Sequence, residues 1–252
     1  MLTLGACGTL PSNRGWGEDA TLDPGRDRIN RAAERAVRDP GTWIPALAAA
    51  VMAASGADAR LSDWARDKAP VFGNGRNAAV VSDDLRDYTN VGMFATALMT
   101  PSGPQDEWLE NKSRGVAVEA GAVLATIGTT NLLKDVVGRE QPGGQGTESF
   151  TSNHATEPFA RAALIRRNTD WLGLPGWAET AVDASFYLMA AGSAWARVEA
   201  GLHYPSDQLA GAAIGNFIAL FIHDAFLGLN DEHRGISAQA DPVPTIGFYL
   251  RW

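Results

Sequence analysis

ARVEAGLHYPSD, residues 196–207, reads as the end of one helix, a tight connection and the start of another. Proline suits the first helical position, where its missing N–H would be unpaired anyway, and Asp207 in the first turn complements the positive end of the helix. The segment therefore predicts a helix from about Pro205 to Leu227. Before it, a helix runs over 176–198 and is opened by the Gly-Leu-Pro-Gly break at 173–176.

Working outward, helical periodicity continues through the chain. Segments 27–39, 42–56, 58–68, 81–100, 107–137 and 155–168 each carry it, with turn signals between them. Residues 69–79 read as a loop, and 138–154 as a Gly-rich one. Gly138 stands where a left-handed cap would close the long helix. The final PTIGFYLRW alternates Ile246, Phe248, Leu250 and Trp252 with other residues, which is the period of a strand. The fold class expected is all-α, a helical bundle with a short C-terminal strand. Residues 1–26 are expected to be a tail or surface arm, and 27–252 a single helical domain.

Composition narrows the function classes. A chain of 252 residues with 45% hydrophobic and 20% charged residues is ordinary for a globular protein. Its net charge of −8, without any Lys/Arg cluster, argues against nucleic acid as a partner. No uninterrupted apolar run reaches the ~18 residues of a membrane span. Residues 41–57 and 208–222 come nearest, and their Ala/Gly content predicts buried helices of a soluble bundle.

If successive helices run antiparallel, Lys134, His154, Arg197, His203 and Asp207 meet at one end of the bundle. Those residue types suit phosphoryl transfer. Fixed cations hold the non-bridging oxygens, one histidine attacks, a carboxylate fixes its tautomer, and a second histidine protonates the leaving oxygen. Asp207, four residues after His203, is expected to accept the Nδ1 proton and leave Nε2 free for in-line attack. No metal-ligand spacing is apparent, and no cofactor is expected, although phosphate or vanadate would suit the site. His223 and His233 match no motif and are expected to be structural or exposed.

Three segments, KDVVGREQP (134–142), TSNH (151–154) and ARVEAGLHYPSD, together resemble the three-part signature of the type 2 phosphatidic acid phosphatase superfamily. That superfamily also contains the class A acid phosphatases and the vanadium haloperoxidases. The resemblance implies its helical bundle and metal-independent hydrolysis of a phosphomonoester through a phosphohistidine. His203 would be the nucleophile, Asp207 its orienting group and His154 the acid. Lys134, Ser152 and Arg197 would bind phosphate oxygens.

This chain departs from the pattern at four positions. Ala196 replaces Ser, and Thr151 replaces Pro. Asn153 stands for Gly, tolerable even at positive φ. Gln141 stands for Arg and removes a fixed cation with a bidentate fork. Arg139, two residues earlier, is the expected compensation, so Arg139, Gln141 and Asn153 join the expected phosphate-binding set.

Near the start, LGAC at 4–7 resembles the lipobox of a bacterial lipoprotein, which would make Cys7 the lipidated residue. Only six residues precede it, fewer than the ~7–15 of an apolar signal core, so the expectation is a signal shortened at its start. The substrate implied is a lipid phosphate at a bacterial envelope membrane, on the periplasmic face, with anchoring to the outer membrane. The alternatives are a phosphotransferase, a phosphate- or lipid-binding envelope lipoprotein altered by Gln141, and a vanadate-dependent halide oxidation.

Overall fold

The computed structural model describes residues 8–10, 12–144 and 146–228. Eight α-helices follow in order: α1 (Gly25–Arg38), α2 (Pro40–Ala54), α3 (Ala57–Lys68), α4 (Gly75–Met99), α5 (Gln105–Val137), α6 (Asn153–Thr169), α7 (Gly176–Glu199) and α8 (Pro205–Ile222). A π-helical turn, His223–Leu227, completes α8. Among the described residues the chain is all-α, with one isolated bridge between Gly8 and Gly103. Cys7, His233 and the alternating C-terminal segment lie outside the described residues.

Local signals explain most helix ends. Gly138 closes α5 with φ 55°, and its N–H donates to the Lys134 carbonyl. The Asp39 carboxylate caps the start of α2 by accepting from Gly41 N. One boundary differs from the sequence reading: α4 begins at Gly75 rather than near 81. Asn74 is its N-cap and accepts from Asn77 N at 2.9 Å, so a residue read as a turn signal opens the helix.

At the centre lies α6, with Ala155, Ala160, Ala162, Ala163, Leu164 and Ile165 all buried. It packs on α4, α5, α7 and α8. Glycines set how closely α8 can approach it. A Cβ on Gly215 would stand 2.1 Å from the Thr156 carbonyl oxygen, and one on Gly211 would stand 2.9 Å from Ala155 Cβ. Backbone-to-backbone contact here fixes the start of α6 beside the first turns of α8.

Two expectations need correction. The N-terminal segment is not a loose arm. Leu10 and Trp16 are buried in a second core with Ala97, Trp171 and Leu227, and Trp16 lies so close to α5 that a Cβ on Gly115 would meet its ring at 2.1 Å. Nor are the apolar helices simply interior. On α2 only Ala49 is buried, while Trp43, Ile44, Leu47 and Val51 are 48%, 49%, 58% and 60% exposed. Of the apolar stretch in α5, 28% is buried. By length and composition, α5 and Pro205–Leu227 could each cross a membrane, and α2 with α3, bent by 94°, would make a third span if taken as one. Glu119, the glycines and Thr129–Asn131 interrupt the apolar run of α5, while the residues around them keep its hydropathy high.

Candidate active site

Four chain segments deliver the expected residues to one end of the bundle. Lys134 is in the last turn of α5, Ser152 is the N-cap of α6 with His154 in its first turn, and Arg197 is in the last turn of α7. His203 sits in the five-residue connection to α8, whose first turn carries Asp207. The charges of Arg197 and Lys134, and His154 itself, all act on His203 across short range. Antiparallel helix order thus brings these residues together.

His203 is almost wholly buried, and its Nδ1 lies 2.6 Å from the Ser149 carbonyl oxygen. A carbonyl can only accept, so Nδ1 carries the proton. Burial, with Arg197 and Lys134 adding like charge, lowers the imidazole to about 3. His203 is therefore neutral at pH 7, with its Nε2 lone pair free of any hydrogen bond among the described residues.

The expected partner is a different one. Asp207 does not receive the His203 proton, because both its oxygens are taken. Oδ1 accepts from Arg139 at 2.6 Å, while Oδ2 accepts from Ser149 Oγ at 2.5 Å and from Tyr204 N at 3.0 Å. The Tyr204 bond is the return half of a capping box, which draws the carboxylate toward the helix start.

Arg139 is likewise committed. It bridges Asp207 and Asp58, the latter at 2.7 Å, and lies over the Tyr204 ring. It does not stand free in place of the arginine that Gln141 lacks, because two carboxylates already neutralise it. Gln141 itself folds its loop through a 2.8 Å bond from its N–H to the Gly146 carbonyl. Asn153 is the first residue of α6, in helical rather than positive-φ backbone, and its amide donates to Asn131.

His154 Nε2 lies 2.7 Å from Asp83 Oδ1 on α4, so Nε2 carries the proton. Burial, then the Arg197 cation, lowers this histidine to about 4 against the opposing pull of Asp83. Asp83 was not legible as a site residue. It sits in an acidic run, Asp83, Asp84 and Asp87, which looks like a solvated helix face.

Several donors at this end of the bundle are buried without partners. Arg197 Nε, Ser152 Oγ and Thr151 Oγ1 have none in the described structure. Orphaned buried donors are rare in folded proteins and mark a place where a ligand or ordered water belongs. Burial also disfavours the charge on Arg197. Glu199, two residues on, is occupied elsewhere, accepting from Val71 N, Phe72 N and Trp195 Nε1. An unpaired guanidinium N–H, two unpaired hydroxyls, a neutral histidine and Lys134, whose Nζ lies 4.0 Å from Glu148, are the kinds of group a cradle for a tetrahedral oxyanion would need.

Such donors at one end of a helical bundle suit a phosphoester. The comparison with known families agrees. Residues 116–230 match the model of the PAP2 superfamily, consistent with the resemblance of the three segments to the type 2 phosphatidic acid phosphatases. The match runs from α5 to the end of α8 and contains all three signature segments; Asp58 and Asp83 lie outside it. No curated protein and no solved structure matches the chain.

Proposed function

We propose that this chain hydrolyses a phosphomonoester, most favourably a lipid phosphate at a bacterial envelope membrane, through a phosphohistidine on His203. The observation that carries the reading is the tautomer of His203: Nδ1–H is held by a backbone carbonyl and Nε2 is unprotonated. Lys134, Ser152 and Arg197 hold the phosphate oxygens. Nε2 attacks phosphorus and the P–O bond to the alcohol breaks, with the His154 proton passing to the departing oxygen. Water then attacks phosphorus, His154 recovers a proton, and the P–N bond breaks to release inorganic phosphate.

A bound phosphate supplies negative charge beside Arg197 and so offsets the cation that now disfavours protonated His154. His154 is charged as the substrate arrives. Lipid as the leaving group is supported at the rim, where Leu132, Val136 and Val137 are exposed around Lys134 in the last turns of α5. The two or three helices of membrane-crossing length support the location. Lipidation of Cys7 would add an anchor.

The test is phosphate release from matched lipid and soluble phosphomonoesters, together with trapping of the phosphoenzyme. Turnover with an acid-labile, base-stable phosphoryl group, lost in His203→Ala, supports the reading. A folded protein that binds phosphate without releasing it from any ester would instead favour the binding lipoprotein, for which Gln141 and the engaged Arg139 are the specific argument. Transfer of the phosphoryl group to an added alcohol would identify a phosphotransferase.

A further inference from the structure

We infer that Asp58, on α3 and outside the family-matched segment, is a positioning residue for His203 and acts through Arg139, Asp207 and Ser149. The inference rests on the phosphatase reading for its kinetic consequences but not for its geometry. His203 is held through Nδ1 by the Ser149 carbonyl. Ser149 lies in the Gly-rich loop between α5 and α6, where no helix fixes a carbonyl direction. Two bonds fix it instead: Ser149 N–H donates to the Arg139 carbonyl at 2.9 Å, and Ser149 Oγ donates to Asp207 at 2.5 Å.

Both of those partners are aimed by Arg139, whose backbone takes one bond and whose guanidinium holds Asp207. Arg139 in turn is aimed by Asp58, a buried carboxylate. Asp58 Oδ2 accepts from Arg139 at 2.7 Å and from Ser206 Oγ at 2.5 Å, and Oδ1 accepts from Ser206 N at 2.9 Å. One carboxylate therefore ties the catalytic loop to the start of α8. The charges alternate along the path from Asp58 to Arg139 to Asp207, so each holds the next. Without Asp58, Arg139 keeps one carboxylate instead of two and loses its fixed direction, and the Ser149 carbonyl loses its own.

A double-mutant cycle tests this, with Asp58→Asn, Ser149→Ala and the pair. Asp58→Asn keeps volume and an acceptor for Ser206 N while removing the charge that aims Arg139. Ser149→Ala keeps the carbonyl that meets His203 while removing the hydroxyl that meets Asp207. If both act on one path, each lowers kcat by about tenfold with KM within about threefold of wild type, and the pair is little worse than either. Multiplying effects, or an unchanged kcat, would overturn the inference.

The downfield Nδ1–H resonance of His203, identified by its loss in His203→Gln, gives a readout without turnover. It should be sharp in wild type and broadened in Asp58→Asn and in Ser149→Ala, and an unchanged resonance in both sinks the inference. Wild-type protein that turns over no substrate would instead count against the phosphatase reading, with the resonance still deciding the role of Asp58. Should Asp58→Asn fail to fold, Arg139→Lys, which keeps the charge but cannot hold both carboxylates in one fork, decides through the same signal.

Discussion

Ser193 Oγ donates to the carbonyl oxygen of His154 at 3.0 Å, across from α7 to α6. In an unbroken helix that carbonyl would accept from residue 158, but Pro158 has no N–H to give. Ser193 supplies the missing donor, sharing its single hydroxyl hydrogen with the Ser82 carbonyl on α4. His154 is thus held at its backbone from α7 and at its ring by Asp83 of α4. Ser193→Ala should leave a buried acceptor unpaired and destabilise the protein by about 1–3 kcal/mol. Urea denaturation checks the size, and a change below about 0.5 kcal/mol would show that the site relaxes around the loss.

Arg197 offers an unpaired, buried Nε–H to the cradle. Arg197→Gln should lower kcat/KM on the order of 10²–10³-fold, as removal of an oxyanion donor does. It should also raise both histidines, His203 from about 3 and His154 from about 4, because the arginine charge helps hold each of them down. NMR titration of the two imidazoles separates this from simple misfolding, which would return both to the ordinary value.

If His154 protonates the leaving oxygen, its loss should matter most where that oxygen leaves poorly. His154→Ala should cost on the order of 10²–10⁴-fold on an alkyl phosphate and far less on p-nitrophenyl phosphate. Asp83→Ala should follow the same pattern more weakly and lower the His154 pKa further, since Asp83 is the group that raises it. Equal losses on both esters would assign His154 to binding.

Stability should fall in acid. His203 titrates at about 3 in the folded chain against an ordinary 6.5, so between those values the unfolded chain binds the extra proton. The contribution is complete above pH 6.5 and is lost as pH drops, by about 1.4 kcal/mol per pH unit for a fully buried histidine. Urea midpoints at pH 7, 6 and 5 should fall more steeply for wild type than for His203→Gln. Parallel lines would show that this group does not govern the slope.

Gly215→Val puts atoms where the Thr156 carbonyl stands, 2.1 Å from an ideal Cβ. We expect a loss of about 1–3 kcal/mol or more, together with reduced phosphate binding, because the start of α6 must move away from α8. Isothermal titration with vanadate reads the second effect. Full affinity in a destabilised variant would show that the cradle does not depend on this contact.

What the sequence disclosed follows from how each feature is encoded. The helices from α5 to α8, and the rim on which they set the histidines, were legible from Gly138, the 173–176 break and Pro205, because caps are written in residue types. The partner of His203 was not. A backbone carbonyl leaves no trace in residue identity, and the four-residue spacing to Asp207 suits a capping box as well as it suits an orienting pair. Asp58 and Asp83 were invisible for another reason: their partners lie far along the chain, and carboxylates in a charged helical stretch look solvated. The alanine-rich helices looked like core because composition reports apolar content but not the direction each side chain faces.

The seat of the N-terminal segment has a consequence for how this chain is made. Trp16 packs against Gly115, Thr21 N–H bonds the Phe226 carbonyl at 2.9 Å, and Leu227 shares the core of Leu10 and Trp16. The first of these residues to leave the ribosome must therefore wait for the last. Until the close of α8 has emerged, the tryptophan and its neighbours have nowhere to go, and the growing chain carries them exposed. Completion of the second core is in effect a length check on the nascent chain: a product truncated before Leu227 leaves Trp16 without its full lining and presents it as a sticky surface for chaperones or proteases to find.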